Sequence, residues 1–408
     1  MAKAATAAID QILVSGSNFL VISMAAKMLS PEDVALYVYG FSLYVFFNAV
    51  ANAWIYQNLM LTPSQNPGKL VESMLFAGLN FFLSLAAVPI TYVAYLIITP
   101  NSTPDHMELG AMISILVAIN ILMDYERRLR YFVECAVIKN PVFVSGIGYL
   151  PRVILLWVIQ PSSIFEFTMV VMAASVPLTL MALWRALHCK FDIEFFKFSK
   201  MQLSSGVWMS ASIPINWLWN QAPLFLTGSV FGMAAAGIYA TIKNITKFAN
   251  VAMEMIPTYV ASRLSSLYKE DKDKYVKYIF KIVLAAFSAW VGIMWILIWF
   301  GGELLDLLYG ERYAGHVWIL WLLWGFNIFV LLNRIQFLHL HLKGKTRIVP
   351  VSYLIGLAAI VLTFYMFSSL GEAVSALSML IGGIVSTIIL SIPNILNRYK
   401  IYSGQDRT

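Results

Sequence analysis

Stretches of about twenty apolar residues recur along this chain, separated by short polar connections. A hydrocarbon layer roughly 30 Å thick needs about 20 apolar residues per crossing helix. The chain is 60% hydrophobic and 12% charged over 408 residues, whereas a soluble domain holds about 45–50% apolar and about 25% charged residues. These runs predict an all-α membrane protein with about twelve transmembrane helices, near 9–29, 34–61, 70–98, 109–123, 141–159, 164–187, 203–231, 235–262, 279–300, 316–338, 349–368 and 372–397. The fourth is short, with room to extend into 124–130. Six fall in 1–200 and six in 201–408, taken as an N-terminal and a C-terminal lobe. The first run has no basic flank or small-residue cleavage site and carries Asp10 and Lys27, so it reads as a retained helix.

Charge sets the expected orientation. Of the 28 basic residues, 22 fall in alternate connections. They are Lys3 and Lys69, four between 127 and 139, four between 185 and 200, six between 263 and 281, three between 343 and 347, and three after 397. The other connections hold only Arg312. Basic loops stay on the cytoplasmic side, which predicts both termini there and a multi-pass protein of the cell inner membrane. The net charge of +7 is thus a topology signal and calls for no nucleic acid. Outer connections such as SPED, QPSS and FGMAAA are short. FDIEFFKFSK and RLSSLYKEDKDKYVKY mix aromatic and charged residues and read as amphipathic pieces lying flat at the interface. Cys135 and Cys189 imply no disulfide framework.

Polar groups at membrane depth are the functional candidates. Lys243, Lys247, Asn250 and Glu254 are spaced i, i+4, i+7 and i+11 and share one helix face. Asn216 and Asn220 are one turn apart on the preceding run. Asn327, Arg334 and His341 repeat every seven residues, and Arg152 is near the middle of the fifth run. An internal repeat relates LSPEDVALYVY (29–39) to FGMAAAGIYAT (231–241) and aligns Tyr37 with Tyr239. The same shift carries the lower part of the lysine stripe onto Asn48 and Asn52. A Lys or Arg at a helix centre costs on the order of 2.5–3.5 kcal/mol, so a stripe of them has to face water, a partner or a ligand. Asparagines in bundles also join helices, and lysine at a helix end snorkels, the plain reading for Lys27. Two lysines one turn apart cannot pair with each other, and Glu254 is about 10 Å from Lys247 along the axis. The expected arrangement is a basic, water-filled cavity that receives an anion. Trp217, Trp219 and Tyr239 are candidates to stack on sugars.

Other chemistries are not indicated. There is no Gly-rich loop with a lysine for ATP. The only close histidine pair, His339 and His341, has no acidic partner in sequence and reads as interfacial, so no metal site or cofactor is expected. Glu254 is the only acid read as well inside a run, with Asp10 near the inner surface. That makes Glu254 the expected coupling group for a proton gradient, sodium being the other candidate ion.

LLYGERYAGHVWILWLLW (307–324), LKGKTRIVPVSYLIGLAAIVLTFYMFSSLGEAVSAL (342–377) and AIDQILVSGSNFLVISMAAKMLSPEDVALYVYGFSLYVFF (8–47) resemble polysaccharide transporters of the MOP flippase superfamily, the Wzx-type O-antigen and capsule flippases. The turn written GEAVSA lacks the second glycine of their Gly-x-x-Gly-Ala-Ala element. The resemblance implies two six-helix lobes around a central cavity with alternating access. It implies a flippase moving an undecaprenyl-pyrophosphate-linked oligosaccharide from the cytoplasmic to the periplasmic leaflet. The partners implied are that lipid-linked substrate, membrane lipid and other polysaccharide-assembly membrane proteins. That family has no universal binding motif, so the expected substrate-binding set rests on the residues themselves: Arg152, Lys243, Lys247, Asn48, Asn52, Asn216, Asn220, Asn327 and Arg334. A multidrug or cation exporter of the same superfamily should carry an acidic cavity. A membrane polymerase or ligase of the same pathway should carry a large outer loop.

Overall fold

The computed structural model describes residues 2–51, 74–98, 104–129, 140–188, 194–342 and 348–402. All twelve apolar runs fall on long helices: α1 (Ala2–Met28), α2 (Pro31–Ala51), α3 (Met74–Ile98), α4 (Pro104–Leu129), α5 (Pro141–Ile159), α6 (Ile164–His188), α7 (Glu194–Phe231), α8 (Met233–Glu270), α9 (Lys272–Tyr309), α10 (Val317–Leu342), α11 (Ile348–Met366) and α12 (Ala373–Tyr402). A single helical turn, Glu311–Ala314, precedes α10. Among the described residues nine segments are long and apolar enough to cross a membrane, and a shorter apolar stretch, Phe82–Ile97, lies in α3. The end of the second expected run, 52–61, with Asn52, and the start of the third, 70–73, lie outside the described residues.

Local chemistry sets the helix starts. Ser30 caps α2, its hydroxyl accepting the Asp33 N–H at 3.2 Å, with Pro31 first in the helix, a position where a missing N–H costs nothing. Asn140 caps α5 in the same way ahead of Pro141. At α6, Ser163 accepts the Glu166 N–H while Glu166 accepts the Ser162 N–H, a reciprocal cap. Gly232 alone separates α7 from α8, at φ +90°, a conformation that a side chain resists.

One expectation is corrected here. RLSSLYKEDKDKYVKY is not a flat interfacial piece. α8 continues to Glu270 and α9 starts at Lys272, each 38 residues long, with Asp271 as the hinge. Asp271 accepts the N–H groups of Asp273 and Lys274. The Lys274 backbone and side-chain bonds hold its carboxylate below the usual range. Of FDIEFFKFSK, residues 194–200 form the start of α7, and 191–193 lie outside the described residues.

The chain forms two compact units, Met1–Pro214 and Ile215–Thr408. In the first, α1 packs on α5, α4 packs on α2, α3 and α6, and α5 packs on α6. One cluster of its core joins Val14, Met123, Val144, Tyr149 and Leu178. In the second, α12 packs on α10 and α11, α10 packs on α8, and α9 lies against α8 and α10. α11 and α12 approach closely at Gly356 and Gly382, where a Cβ on either glycine would stand 3.0 Å from the other's carbonyl oxygen. Only 6% of the most apolar part of α9 is buried, against 33–67% for the other spans, so α9 turns Phe280, Trp295 and Trp299 toward lipid.

The internal repeat is visible in the packing. Tyr37 on the second helix of the first unit meets Phe167 on its sixth helix, edge to face at 5.2 Å. Tyr239 on the second helix of the second unit donates its hydroxyl to the Met379 sulfur on the sixth, at 2.9 Å.

Candidate functional site

In the second unit the structure gathers three of the expected residues. Lys243 extends from α8 to α7, where its ammonium donates to the Asn220 carbonyl oxygen at 2.5 Å. The Asn220 amide donates to the Asn216 carbonyl oxygen at 3.0 Å and to its side-chain oxygen at 3.2 Å. The ammonium of Lys243 stands 5.6 Å from the ring centre of Tyr239, one turn earlier on α8, a cation–π contact. Lys247 follows one turn along the same face, half-buried. The side chains of Asn250 and Glu254 lie outside the described residues.

On α10 the expected residues are Asn327 and Arg334. Asn327 is 1% exposed, and neither its amide nitrogen nor its oxygen has a hydrogen-bond partner among the described residues. Arg334 is half-buried two turns on, within electrostatic reach of Tyr353. Sequence reasoning missed Asn333, which does tie helices together. It donates to Ser386 and accepts from Thr387, both at 2.8 Å. The aromatic candidates are mostly core. Trp219 is 3% exposed between Phe326 and Tyr353, Tyr239 is fully buried, and Trp217 is half-buried against Phe225. Neither Trp219 nor Tyr239 presents a face to a sugar. His339 is half-buried, stacked on Tyr275 and bonded to its hydroxyl at 2.6 Å.

In the first unit Arg152 is 2% exposed. Its Nε donates to Ser175 on α6 at 2.9 Å, and its Nη2 reaches Asn120 at 2.7 Å and the Met123 sulfur at 2.9 Å, both on α4. Its guanidinium lies 5.1 Å from the ring centre of Tyr149. Asn48 is half-buried, its amide 3.5 Å from the Tyr44 hydroxyl on its own helix.

A second buried arginine, placed by sequence in a cytoplasmic loop, is a correction. The fourth run takes up its room to extend into 124–130: α4 continues to Leu129 and carries Arg127 into the protein. Arg127 pairs with Asp10 of α1 at 2.7 Å and with Asp124 at 2.6 Å. Asp10 also accepts the Ser145 hydroxyl of α5. Glu126 is fully buried as well, so Glu254 is not the only acid at depth. The Asp124–Arg127 spacing of three residues was the available signal, masked by counting Arg127 with the loop charges.

These contacts sort the buried cations. Arg127 meets two carboxylates and contributes little field outside its cluster. Arg152 and Lys243 meet only hydroxyl, amide, carbonyl, sulfur and ring groups among the described residues. A cation without a counter-charge in a low-dielectric interior is costly, and it attracts an anion strongly. Among the described residues no group of three His, Cys, Asp or Glu is placed to hold a metal.

Comparison with known proteins agrees with this architecture. The family model described as a polysaccharide biosynthesis protein matches residues 24–318. No curated protein matches the chain. An inward-facing multidrug resistance MATE family transporter of the MOP superfamily superposes with a TM-score of 0.76 at 13% identity, over 98% of this chain and 96% of its own. Lipid II flippase MurJ, in an inward closed conformation, gives 0.69 at 14% identity over 95% and 86%. A MOP superfamily transporter from Pyrococcus furiosus, noted for the reverse polarity of its binding pocket, gives 0.65 at 11% over 98% and 95%. At these identities the likeness establishes the fold, that of multi-pass helical membrane transporters, as the resemblance implied. With a match over most of its length, the chain belongs to the polysaccharide biosynthesis protein family.

Proposed function

We propose that this protein is a flippase that carries an undecaprenyl-pyrophosphate-linked oligosaccharide, an O-antigen or capsule repeat unit, from the cytoplasmic to the periplasmic leaflet by alternating access. The observation behind this reading is that each unit holds a cation with no carboxylate partner among the described residues, half-buried Lys243 in one and buried Arg152 in the other, whereas Arg127 is neutralised by two carboxylates. A phosphate group supplies the counter-charge that either lacks. The MurJ likeness and the family match support a lipid-linked substrate. A cation exporter shares the fold but calls for the opposite charge, and the short outer connections leave no room for a polymerase or ligase site.

Deleting the gene in its native host should remove surface polysaccharide and build up the lipid-linked repeat unit on the cytoplasmic leaflet. Export that continues at the wild-type rate, with no accumulated intermediate, sinks the reading.

The orientation follows from the loop charges. Reporter fusions after residues 66 and 270 should read cytoplasmic, and those after 104 and 308 periplasmic. The reverse pattern overturns an inner-membrane protein with both termini inside.

Glu254 shares the lysine face by spacing, and we assign it the coupling role, with a proton or sodium gradient as the energy source. Desolvation opposes its charge and the lysines favour it, so an anion leaving Lys247 would change its proton affinity. Glu254→Gln should flatten the dependence of export on the gradient. An unchanged dependence removes Glu254 from the mechanism.

A further inference from the structure

At the end of the second unit that the loop charges assign to the periplasm, one titratable pair takes no part in the site described above. His316 stands just ahead of α10, its backbone N–H bonded to the Tyr313 carbonyl oxygen at 3.1 Å. Its Nδ1 pairs with the Glu372 carboxylate in the turn before α12. The two side chains are 27% and 21% exposed, so protons from outside reach them. The other charged groups at this end are Glu303 and Asp306 of α9 and Glu311 and Arg312 of the single turn, all exposed. Tyr309 and Tyr313 are buried against each other, and Tyr365 near the end of α11 is exposed. Among the described residues Glu372 is the one charged partner of His316. Histidine changes charge between about pH 5 and 8. The pair is therefore a charge-assisted bond with the imidazole protonated and a weaker neutral one without that proton. A line of bonds runs from it to the lysine face. The Glu372 carbonyl oxygen accepts the Ser375 N–H at 3.1 Å in the first turn of α12. The Ser375 hydroxyl meets the Thr227 hydroxyl of α7 at 2.5 Å, both side chains fully buried. Thr227 donates its one hydrogen to the Pro223 carbonyl oxygen at 2.5 Å, so Ser375 is the donor between the two hydroxyls. Asn220, three residues before Pro223, holds the Lys243 ammonium on its carbonyl oxygen.

We propose that the His316–Glu372 pair is a proton-binding site that sets anion affinity at Lys243 through Ser375 and Thr227. With His316 protonated, the pair fixes the first turn of α12 and, through the two hydroxyls, the α7 turn that keeps the Asn220 carbonyl on Lys243. That carbonyl competes with an anion for the ammonium. Loss of the proton loosens the pair and frees Lys243 to bond phosphate oxygens. Proton and anion oppose each other, and by linkage each weakens the other by the same factor. A proton taken up on the periplasmic side thus favours release of the phosphate group there. The proposal rests on the reading of Lys243 as an anion site.

The test uses the purified full-length protein in nanodiscs of zwitterionic lipid, titrated with inorganic sulfate, a divalent oxyanion whose own charge is constant near neutral pH. The lysines add a pH dependence of their own in every variant that keeps them. The quantity compared is therefore the ratio of sulfate affinity at about pH 8 to that at about pH 6, across the histidine range. That ratio should be about tenfold larger in wild type than in His316→Gln or Glu372→Gln. Thr227→Val should lower it to the His316→Gln level, and Ser375→Ala, which breaks the same bond from α12, should act alike. Nuclear magnetic resonance of labelled histidine follows the His316 proton directly. Saturating sulfate should move the His316 titration to lower pH in wild type by the same factor, and leave it in place in Thr227→Val. The sulfate charge acting through space alone would move it to higher pH, and a pair that only braces the turn would not respond. Equal ratios in wild type and His316→Gln, or a His316 titration that sulfate leaves in place or raises, overturn the proposal. If Lys243→Ala still removes sulfate binding in that case, the anion site and the flippase reading stand. A wild-type ratio in both Thr227→Val and Ser375→Ala overturns the bonded route. Sulfate binding absent in wild type, or kept by Lys243→Ala, refutes the anion site itself and the flippase reading that rests on it.

Discussion

Arg127→Met should nearly abolish accumulation of the protein in the membrane. The substitution removes a cation paired with both Asp10 and Asp124, and all three side chains are at most 6% exposed. Breaking a buried pair by deleting one partner costs about 3–5 kcal/mol, because the remaining charge stays desolvated. Here two carboxylates lose that cation, and α1 loses its charged tie to α4. That is a large fraction of the roughly 5–15 kcal/mol that holds a typical domain together. Replacing the set with neutral groups of similar shape is close to neutral in such cases. The triple variant Asp10→Asn/Asp124→Asn/Arg127→Met should therefore recover much of the lost level. The measurement is membrane abundance with the melting temperature of the detergent-solubilised protein. An Arg127→Met protein that accumulates and melts like wild type would show that the ion cluster is not structural.

The second large effect is functional. Lys243→Ala/Lys247→Ala should reach the membrane at wild-type levels or above, because each removed ammonium saves on the order of 2.5–3.5 kcal/mol of insertion cost. The Lys243 bond to the Asn220 carbonyl is a smaller loss, about 1.5–3 kcal/mol. Complementation of the deletion strain should fail all the same. Two charge-assisted bonds to a pyrophosphate, at about 1.5–3 kcal/mol each, correspond to roughly a hundredfold to ten-thousandfold weaker substrate binding. Lys247→Arg keeps the charge but not the geometry of a point-like ammonium, and should retain part of the activity. Normal export by the double variant would falsify the lysine platform.

These residues differ in how far the sequence reveals them. Periodic apolar runs and alternating loop charge follow from the bilayer itself, so each helix is legible wherever the run is long. The lysine stripe is legible for the same reason, because a charge inside a run stands out. Arg127 was not, since its partner Asp10 is 117 residues away and its own position falls where loop and helix look alike in composition. The α8–α9 junction was misread because interface-like mixtures of aromatic and basic residues also form the ends of long helices. Tyr239 and Trp219 stood out as sugar-stacking groups by residue type, yet type carries no information on which side of a helix faces the core. The contact of Lys243 with Asn220 joins two runs that the sequence could place at similar depth but could not bring together.

The unequal treatment of the buried cations has an electrical consequence. A side chain neutralised within its own unit, as Arg127 is, carries no net charge through the membrane field when the unit moves. Arg152 and Lys243 do, and each elementary charge moved across 100 mV involves about 2.3 kcal/mol. Phosphate groups bound at these cations would offset that charge. If both units reorient during transport, the loaded carrier moves almost free of the membrane voltage, and the empty carrier does not. The voltage then acts mainly on the return step, which gives the cell a means of driving the cycle forward without touching the substrate.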